Sequence, residues 1–276
     1  MYDVRRLDVQ EFASRVVPFL AEREVEYNLL IGISARLAEQ PEDARGAVFA
    51  AVEAGGRLVG AVLRTPPQLP IVTRLEPGAA RAVARFLASV GDVPDGAIAP
   101  EEHGRELARA LAELRGGNVE LTSDEIVYEL TEVRRPRQPS GFARPAAPED
   151  AAIVQEFVAH FFREVELPHP PPPEVLTERI LREQTALLWD DGGVRSLACR
   201  ARYTTTGAAI APVYTPPEAR GRGYASAVTA ELCERLLGAG RRFVCLHAER
   251  SNPVSNRIYR AIGFREVSTN RVWTLR

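Results

Sequence analysis

A chain of 276 residues with a net charge of -2 and an apolar fraction of 45% has room for two ordinary domains and presents no field that would draw in nucleic acid or an anionic membrane. No apolar stretch approaches the ~18 residues of a membrane span, and MYDVRRLDVQEF at the start lacks the apolar core of a signal peptide; a cytoplasmic protein without a membrane partner is expected. Cys199, Cys233 and Cys245 lie too far apart for a Cys-x-x-Cys site, so buried free thiols and no metal are expected.

In chain order, the first half opens with a short extended piece and an amphipathic helix, VRRLDVQEFASRVVPFL, residues 4–20. VEAGGRLVGAV then places apolar runs on both sides of Gly55 and Gly56, the pattern of a hairpin. A helix, RLEPGAARAVARFLA (residues 74–88), and an alternating strand, EIVYELTEV (residues 125–133), complete that half. The second half repeats the order: FARPAAPEDAAIVQEFVAHFF (residues 142–162), a hairpin around Gly192 and Gly193, and a closing strand TNRVWTLR (residues 269–276). Asp190 stands 137 positions after Glu53, close to half the chain, which points to tandem copies of one fold. Residues 134–150 are rich in proline and arginine and read as an exposed connection, placing the boundary near Ser140 and the domains at 1–139 and 140–276. The run LPHPPPPEV (residues 167–175) should be a stiff surface loop, because each proline lacks an amide donor.

Residues 207–215, GAAIAPVYT, read as a buried strand, and GYASAVTAELCERLLGAG (residues 223–240) as a helix with Val228, Leu232 and Leu236 on its apolar stripe. Between them lies RGRG. A glycine turn opening a helix exposes backbone amides where the helix dipole favours an anion, and Gly221 and Gly223 carry no side chain to block a phosphate. A Walker-type site needs a lysine, and this chain has none. A dinucleotide fold would use Gly221, Gly223 and Ser226, with Glu249 as the ribose-binding acid. Against it, five residues separate strand from glycines, and too little chain follows Glu249 for further strand–helix repeats.

Downstream, Asn252 is a suitable cap and Pro253 fits the first helical position; Gly263 ends that helix. Val254, Ile258 and Ile262 should face the core, leaving Asn252, Asn256 and Tyr259 on a neighbouring polar stripe able to hydrogen-bond a ligand. RGRGYA fits R-x-x-G-x-A, and with NPVSNRIYRAIGF (residues 252–264) the chain resembles the Gcn5-related N-acetyltransferases (GNAT). The resemblance is specific over residues 207–264.

That resemblance implies an α/β fold of two tandem GNAT-like domains, each a mixed, mostly antiparallel twisted sheet flanked by helices, with two splayed parallel central strands in the second. Acetyl-CoA, as cosubstrate, would enter between those strands. Val213, Tyr214 and Thr215 would meet the pantetheine arm; Arg220, Gly221, Arg222, Gly223, Tyr224, Ala225 and Ser226 the pyrophosphate; Asn252, Ser255, Asn256 and Tyr259 the arm from the other side. Tyr259 stands at the family's position for the general acid. The base is unassigned, because residues 208–213 offer no ionisable group; His247 and Glu249 remain candidates. The first half has neither the glycine pair nor the N-P-x-S-N-x-x-x-Y run and should be a degenerate copy that binds no coenzyme and shapes the acceptor pocket or stabilises the second half. The expected activity is transfer of an acetyl group to a primary amine, on a small molecule or a protein, by a monomer or homodimer; the alternative is a non-catalytic acetyl-CoA-binding regulatory module.

Overall fold

The computed structural model describes residues 1–91, 93–166 and 169–276. Its first half runs β1 (Tyr2–Leu7), α1 (Val9–Arg15), α2 (Val17–Leu20), α3 (Asn28–Glu39), β2 (Val48–Ala54), β3 (Arg57–Arg64), β4 (Ile71–Val72), α4 (Pro77–Val90), β5 (Gly96–Pro100), α5 (His103–Arg115) and β6 (Val119–Leu130). The second runs β7 (Phe142–Pro145), α6 (Ala151–Glu164), α7 (Pro173–Arg182), β8 (Ala186–Asp190), β9 (Val194–Tyr203), β10 (Ala208–Tyr214), α8 (Tyr224–Gly238), β11 (Val244–Glu249), α9 (Pro253–Ile262) and β12 (Arg265–Leu275). Strand, helices, hairpin, strand, helix, strand, helix, strand: the two series correspond from β1 and β7 to β6 and β12.

Two compact units result, and they are not the two halves of the sequence. Unit 1 comprises residues 1–127, 247–251 and 266–276; unit 2 comprises residues 128–246 and 252–265. Each unit therefore takes chain from both sides of Ser140. The last strand of the second series lies in unit 1, where β12 pairs antiparallel with β5 from Asn270 opposite Pro100 to Thr274 opposite Gly96. Strand order in unit 1 is β1-β2-β3-β4-β5-β12, and in unit 2 β7-β8-β9-β10-β11. Among the described pairings the strands of each unit run mostly antiparallel, with β4 parallel to β5 in unit 1 and β10 parallel to β11 in unit 2.

Local chemistry explains the elements. Asp8 and Glu11 form a reciprocal capping box that starts α1. Gly55 and Gly56, at φ +58° and +78°, close the first hairpin with the left-handed backbone that a two-residue turn requires. On β2, Val48, Ala50 and Val52 face α4 and α5 while Phe49 and Ala51 face α1 and α3, so the period-two alternation feeds two cores and the strand is buried from Val48 to Val52. In unit 2, Val154, Phe157, Val158 and Phe162 of α6 pack on Leu188, Leu197 and Tyr214.

Some boundaries differ from those read off the sequence. Residues 173–175 of the proline run are helical: Pro173 opens α7, where its missing amide costs nothing, while Leu167 and Pro168 lie outside the described residues. The strand expected at 125–133 spans β6, starting six residues earlier, and that expected at 269–276 is β12, starting at Arg265. All three cysteines are buried and none is in a disulfide. No helix among the described residues is long and apolar enough to cross a membrane.

Candidate active site

In unit 2 the parallel strands β10 and β11 are in register only at Ala208 with Val244 and Ala209 with Cys245. Beyond that point β10 stays paired with β9 as far as Tyr214 opposite Leu197, so its other edge is left without a partner strand. Val213 and Thr215 lie on or just past this open stretch. Of Thr215, the hydroxyl is held by Ser196 at 2.8 Å and the carbonyl accepts from Arg220 Nε at 2.9 Å, which leaves only its amide for a ligand.

The strand leads into the glycine turn. Gly221 and Gly223 adopt φ +78° and +89°, and a side chain at either would meet no atom, so the conformation and not crowding calls for glycine. Gly223 caps α8 in the left-handed region without any side-chain cap. The amides of Gly221, Arg222, Gly223, Tyr224, Ala225 and Ser226 donate to no acceptor among the described residues; the first helical bond is from Ala227 to the Gly223 carbonyl. Six successive donors at the positive end of a 15-residue helix are an arrangement that can receive an anion.

The side chains around the turn divide their labour. Arg220, expected to add charge for the phosphates, is held back: its guanidinium meets Glu164 of α6 at 2.5 Å, the Thr215 carbonyl at 2.9 Å and the face of Tyr214 at 5.8 Å. It acts as a strut between α6, the end of β10 and the turn. Tyr214 also touches His160, Nδ1 to hydroxyl, at 3.2 Å, and burial followed by the Glu164 carboxylate raises its pKa. The Tyr224 ring is buried and its hydroxyl donates to Asp191 at 2.5 Å, so only its amide is available to an anion. That bond, with one from Ser140, holds the Asp191 carboxyl below the usual carboxylate range. Ser226 is half-buried with its hydroxyl unpaired among the described residues.

α9 begins as expected, with the Asn252 side chain accepting from the amides of Val254 and Ser255 at 3.2 and 3.1 Å and Pro253 in first position. Gly263 ends it at φ +113°. Its faces are rotated from the sequence reading. Val254 is 55% exposed, whereas Asn256, Tyr259 and Ile262 are buried. Asn256 tolerates burial because Tyr128 donates to its Oδ1 at 3.0 Å and its own Nδ2 donates to the Asn252 carbonyl at 2.7 Å. It is an internal bridge and offers nothing to a ligand. Tyr259 sits in an aromatic cluster, its ring 6.1 Å from Tyr128 and 5.7 Å from Phe264, and burial raises its pKa well above an ordinary phenol. Ser255 is half-buried, its hydroxyl donating to the Asn252 carbonyl at 3.4 Å. The signal for Tyr128 lay in its own strand, as an aromatic in EIVYEL, but nothing in the sequence paired it with Asn256.

Both candidate bases belong to unit 1 and are engaged there. His247 Nδ1 lies 3.1 Å from Glu125 and its Nε2 3.0 Å from Asn28. Glu249 accepts from the Ser123 hydroxyl at 2.7 Å. Unit 1 shows what the place of the turn holds in the other copy. After β4, Arg74 meets Glu26 at 2.7 Å and Glu101, just past β5, at 2.8 Å. Glu26 is buried and also accepts from Ser268 at 2.8 Å. α4 then starts at Pro77 with Glu76 before it, hydrogen-bonded by Tyr2. Among the described residues no group of His, Cys, Asp and Glu is arranged to hold a metal ion.

Residues 193–274, which contain the turn and α9, match the family model described as FR47-like protein. No curated protein matches the chain. Among solved structures, a Drosophila protein is similar over 99% of this chain and 98% of its own, at 15% identity and a TM-score of 0.69. A GCN5-related N-acetyltransferase from Sphaerobacter thermophilus matches over 99% and 94%, at 17% identity and 0.61. A tandem GNAT protein from the clavulanic acid biosynthesis pathway matches over 99% and 98%, at 17% identity and 0.56. At such identities the likeness is one of fold, and it spans both copies.

Proposed function

From the tandem GNAT fold of this chain, with its FR47-like segment in the second copy, we propose an acetyl-CoA-dependent N-acetyltransferase with one working site, in unit 2. The observation that carries this reading is the run of six unpaired amides from Gly221 to Ser226, beside a strand edge left open where β10 and β11 part. Those amides, with Arg222, would hold the pyrophosphate of the substrate. The amides of Val213 and Thr215 and the free Nδ2 of Asn252 would receive the pantetheine arm. The acceptor is a primary amine. Its nitrogen attacks the thioester carbonyl carbon while both reactants are held in place, the carbon–sulfur bond breaks, and coenzyme A leaves as a thiol. Tyr259, whose phenol burial keeps protonated across the neutral range, donates its proton to sulfur as the carbon–sulfur bond breaks, and the proton given up by the acceptor nitrogen as the amide forms restores the phenol.

Free-thiol release from acetyl-CoA over a panel of small amines and peptide N-termini tests this directly. Amine-dependent release is expected. One observation favours a second reading, a non-catalytic acetyl-CoA-binding module: β10 carries no ionisable side chain from Ala208 to Val213. Tight acetyl-CoA binding without release for any amine would establish that reading in place of the first.

A further inference from the structure

The turn forms one wall of a cleft of about 580 Å³ within unit 2, whose opposite wall is the connection that precedes β7. Arg137 and Ser140 stand on the connection side, Gly221, Arg222 and Tyr224 on the turn side, with Asp191 between them. The volume suits a nucleotide-sized group.

Charge in this cleft is out of balance. On the same connection Arg135 is paired with Glu234, and Arg144 with Asp150 and Asp190. Arg137 and Arg222 have no hydrogen bond or ion pair among the described residues. The one carboxylate in the cleft, Asp191, is satisfied by the hydroxyls of Tyr224 and Ser140. Two guanidiniums against one carboxylate leave a net positive charge facing the cleft, in addition to the amides of the turn. Guanidinium presents a planar fork of donors that fits phosphate oxygens in pairs.

A pyrophosphate held by the amides and by part of the Arg222 fork leaves Arg137 and the remaining Arg222 donors to be matched, and the nucleoside end of coenzyme A carries a further phosphate monoester of nearly two negative charges. We infer that the cleft between residues 137–140 and the glycine turn receives the 3′-phosphorylated ribose of the coenzyme, with Arg137 and Arg222 selecting for the 3′-phosphate. This rests on the acetyl-CoA reading above and adds to it a wall contributed by the connection between the copies.

The test is titration calorimetry of the full chain with acetyl-CoA and with acetyl-3′-dephospho-CoA, for the unsubstituted protein, Arg137→Ala, Arg222→Ala and Arg137→Lys. Loss of charge-assisted bonds to the 3′-phosphate should weaken binding roughly 10- to 100-fold in the dephospho compound. Arg137→Ala should bind the dephospho compound as well as the unsubstituted protein does and lose most of the preference, with Arg137→Lys keeping part of it. Both substituted arginines are exposed, so unchanged melting temperatures would show that the fold is intact. Equal, tight binding of both compounds, or a preference that survives in both alanine variants, would overturn the 3′-phosphate assignment and leave the acetyl-CoA reading standing. Binding of neither compound would overturn both.

Discussion

The end of β4 and the end of β10 are the same place in two copies of one fold, and they have been filled in opposite ways. After β10, residues 215–223 make a long turn with two left-handed glycines and a row of free amides. After β4 only residues 73–76 precede the helix, which opens on a proline without an amide. The space at the strand ends is taken by Arg74 between Glu26 and Glu101. One copy has amide donors without an acceptor among the described residues; the other satisfies its polar groups internally. On the proposed reading, coenzyme binding in this fold is decided by a few residues at one strand end and not by the sheets that frame it.

Making the second copy resemble the first should have the largest effect. Replacing Gly221 and Gly223 together by valine puts β-branched residues at positive φ, at about 1–3 kcal/mol each, and brings side chains into the anion site. Acetyl-CoA affinity, measured by calorimetry, should fall by more than about 100-fold, and an unchanged affinity would mean that the coenzyme lies elsewhere. Next, Tyr259→Phe should lower kcat by about 100-fold with KM for acetyl-CoA nearly unchanged. Equal turnover in that variant would remove Tyr259 as the acid.

Emptying the first copy should act on stability and not on the coenzyme. Arg74→Met leaves the buried Glu26 without its ion pair, which should cost about 2–4 kcal/mol in denaturant unfolding and leave acetyl-CoA affinity where it was. Glu26 adds a pH signature. Its burial alone would raise the pKa, but hydrogen bonds from Arg74 and Ser268 outweigh this and hold it below the ordinary glutamate value. An acid lowered in the folded state gives stability that is fully present above its unfolded pKa and is lost as the pH falls through the folded value. Below about pH 4.5 the unsubstituted protein should therefore lose stability faster than Glu26→Gln, as followed by urea midpoints across that range. The smallest effect belongs to the strut. Glu164→Gln frees Arg220, and since both groups are near half exposed the acetyl-CoA KM should rise by only about threefold, with kcat unchanged.

Much of the local structure was legible because it depends on neighbours in sequence. The two Gly-Gly hairpins, the Asn252 cap with Pro253, the Gly263 stop and the strand–turn–helix around RGRG each follow from residues a few positions apart. What depended on distant partners was not. An alternating strand at the C-terminus carries no mark saying that it pairs with β5, because register and neighbour are set by surfaces from elsewhere in the chain. The buried face of α9 is hidden from the sequence for a similar reason. Period-four apolar residues suggested Val254 as core, but Tyr128 comes from β6 to satisfy Asn256, and that makes a polar residue the better one to bury. Arg74, Glu26, Glu101 and Ser268 are scattered over the sequence, so their cluster has no motif.

The contrast between the copies comes down to a stoichiometry, which titration calorimetry of the whole chain with acetyl-CoA measures directly. One mole bound per mole of chain, abolished by valine at Gly221 and Gly223 and untouched by Arg74→Met, is the result expected if only the second copy binds. Two moles per chain, or one mole that survives the glycine substitutions, would contradict it.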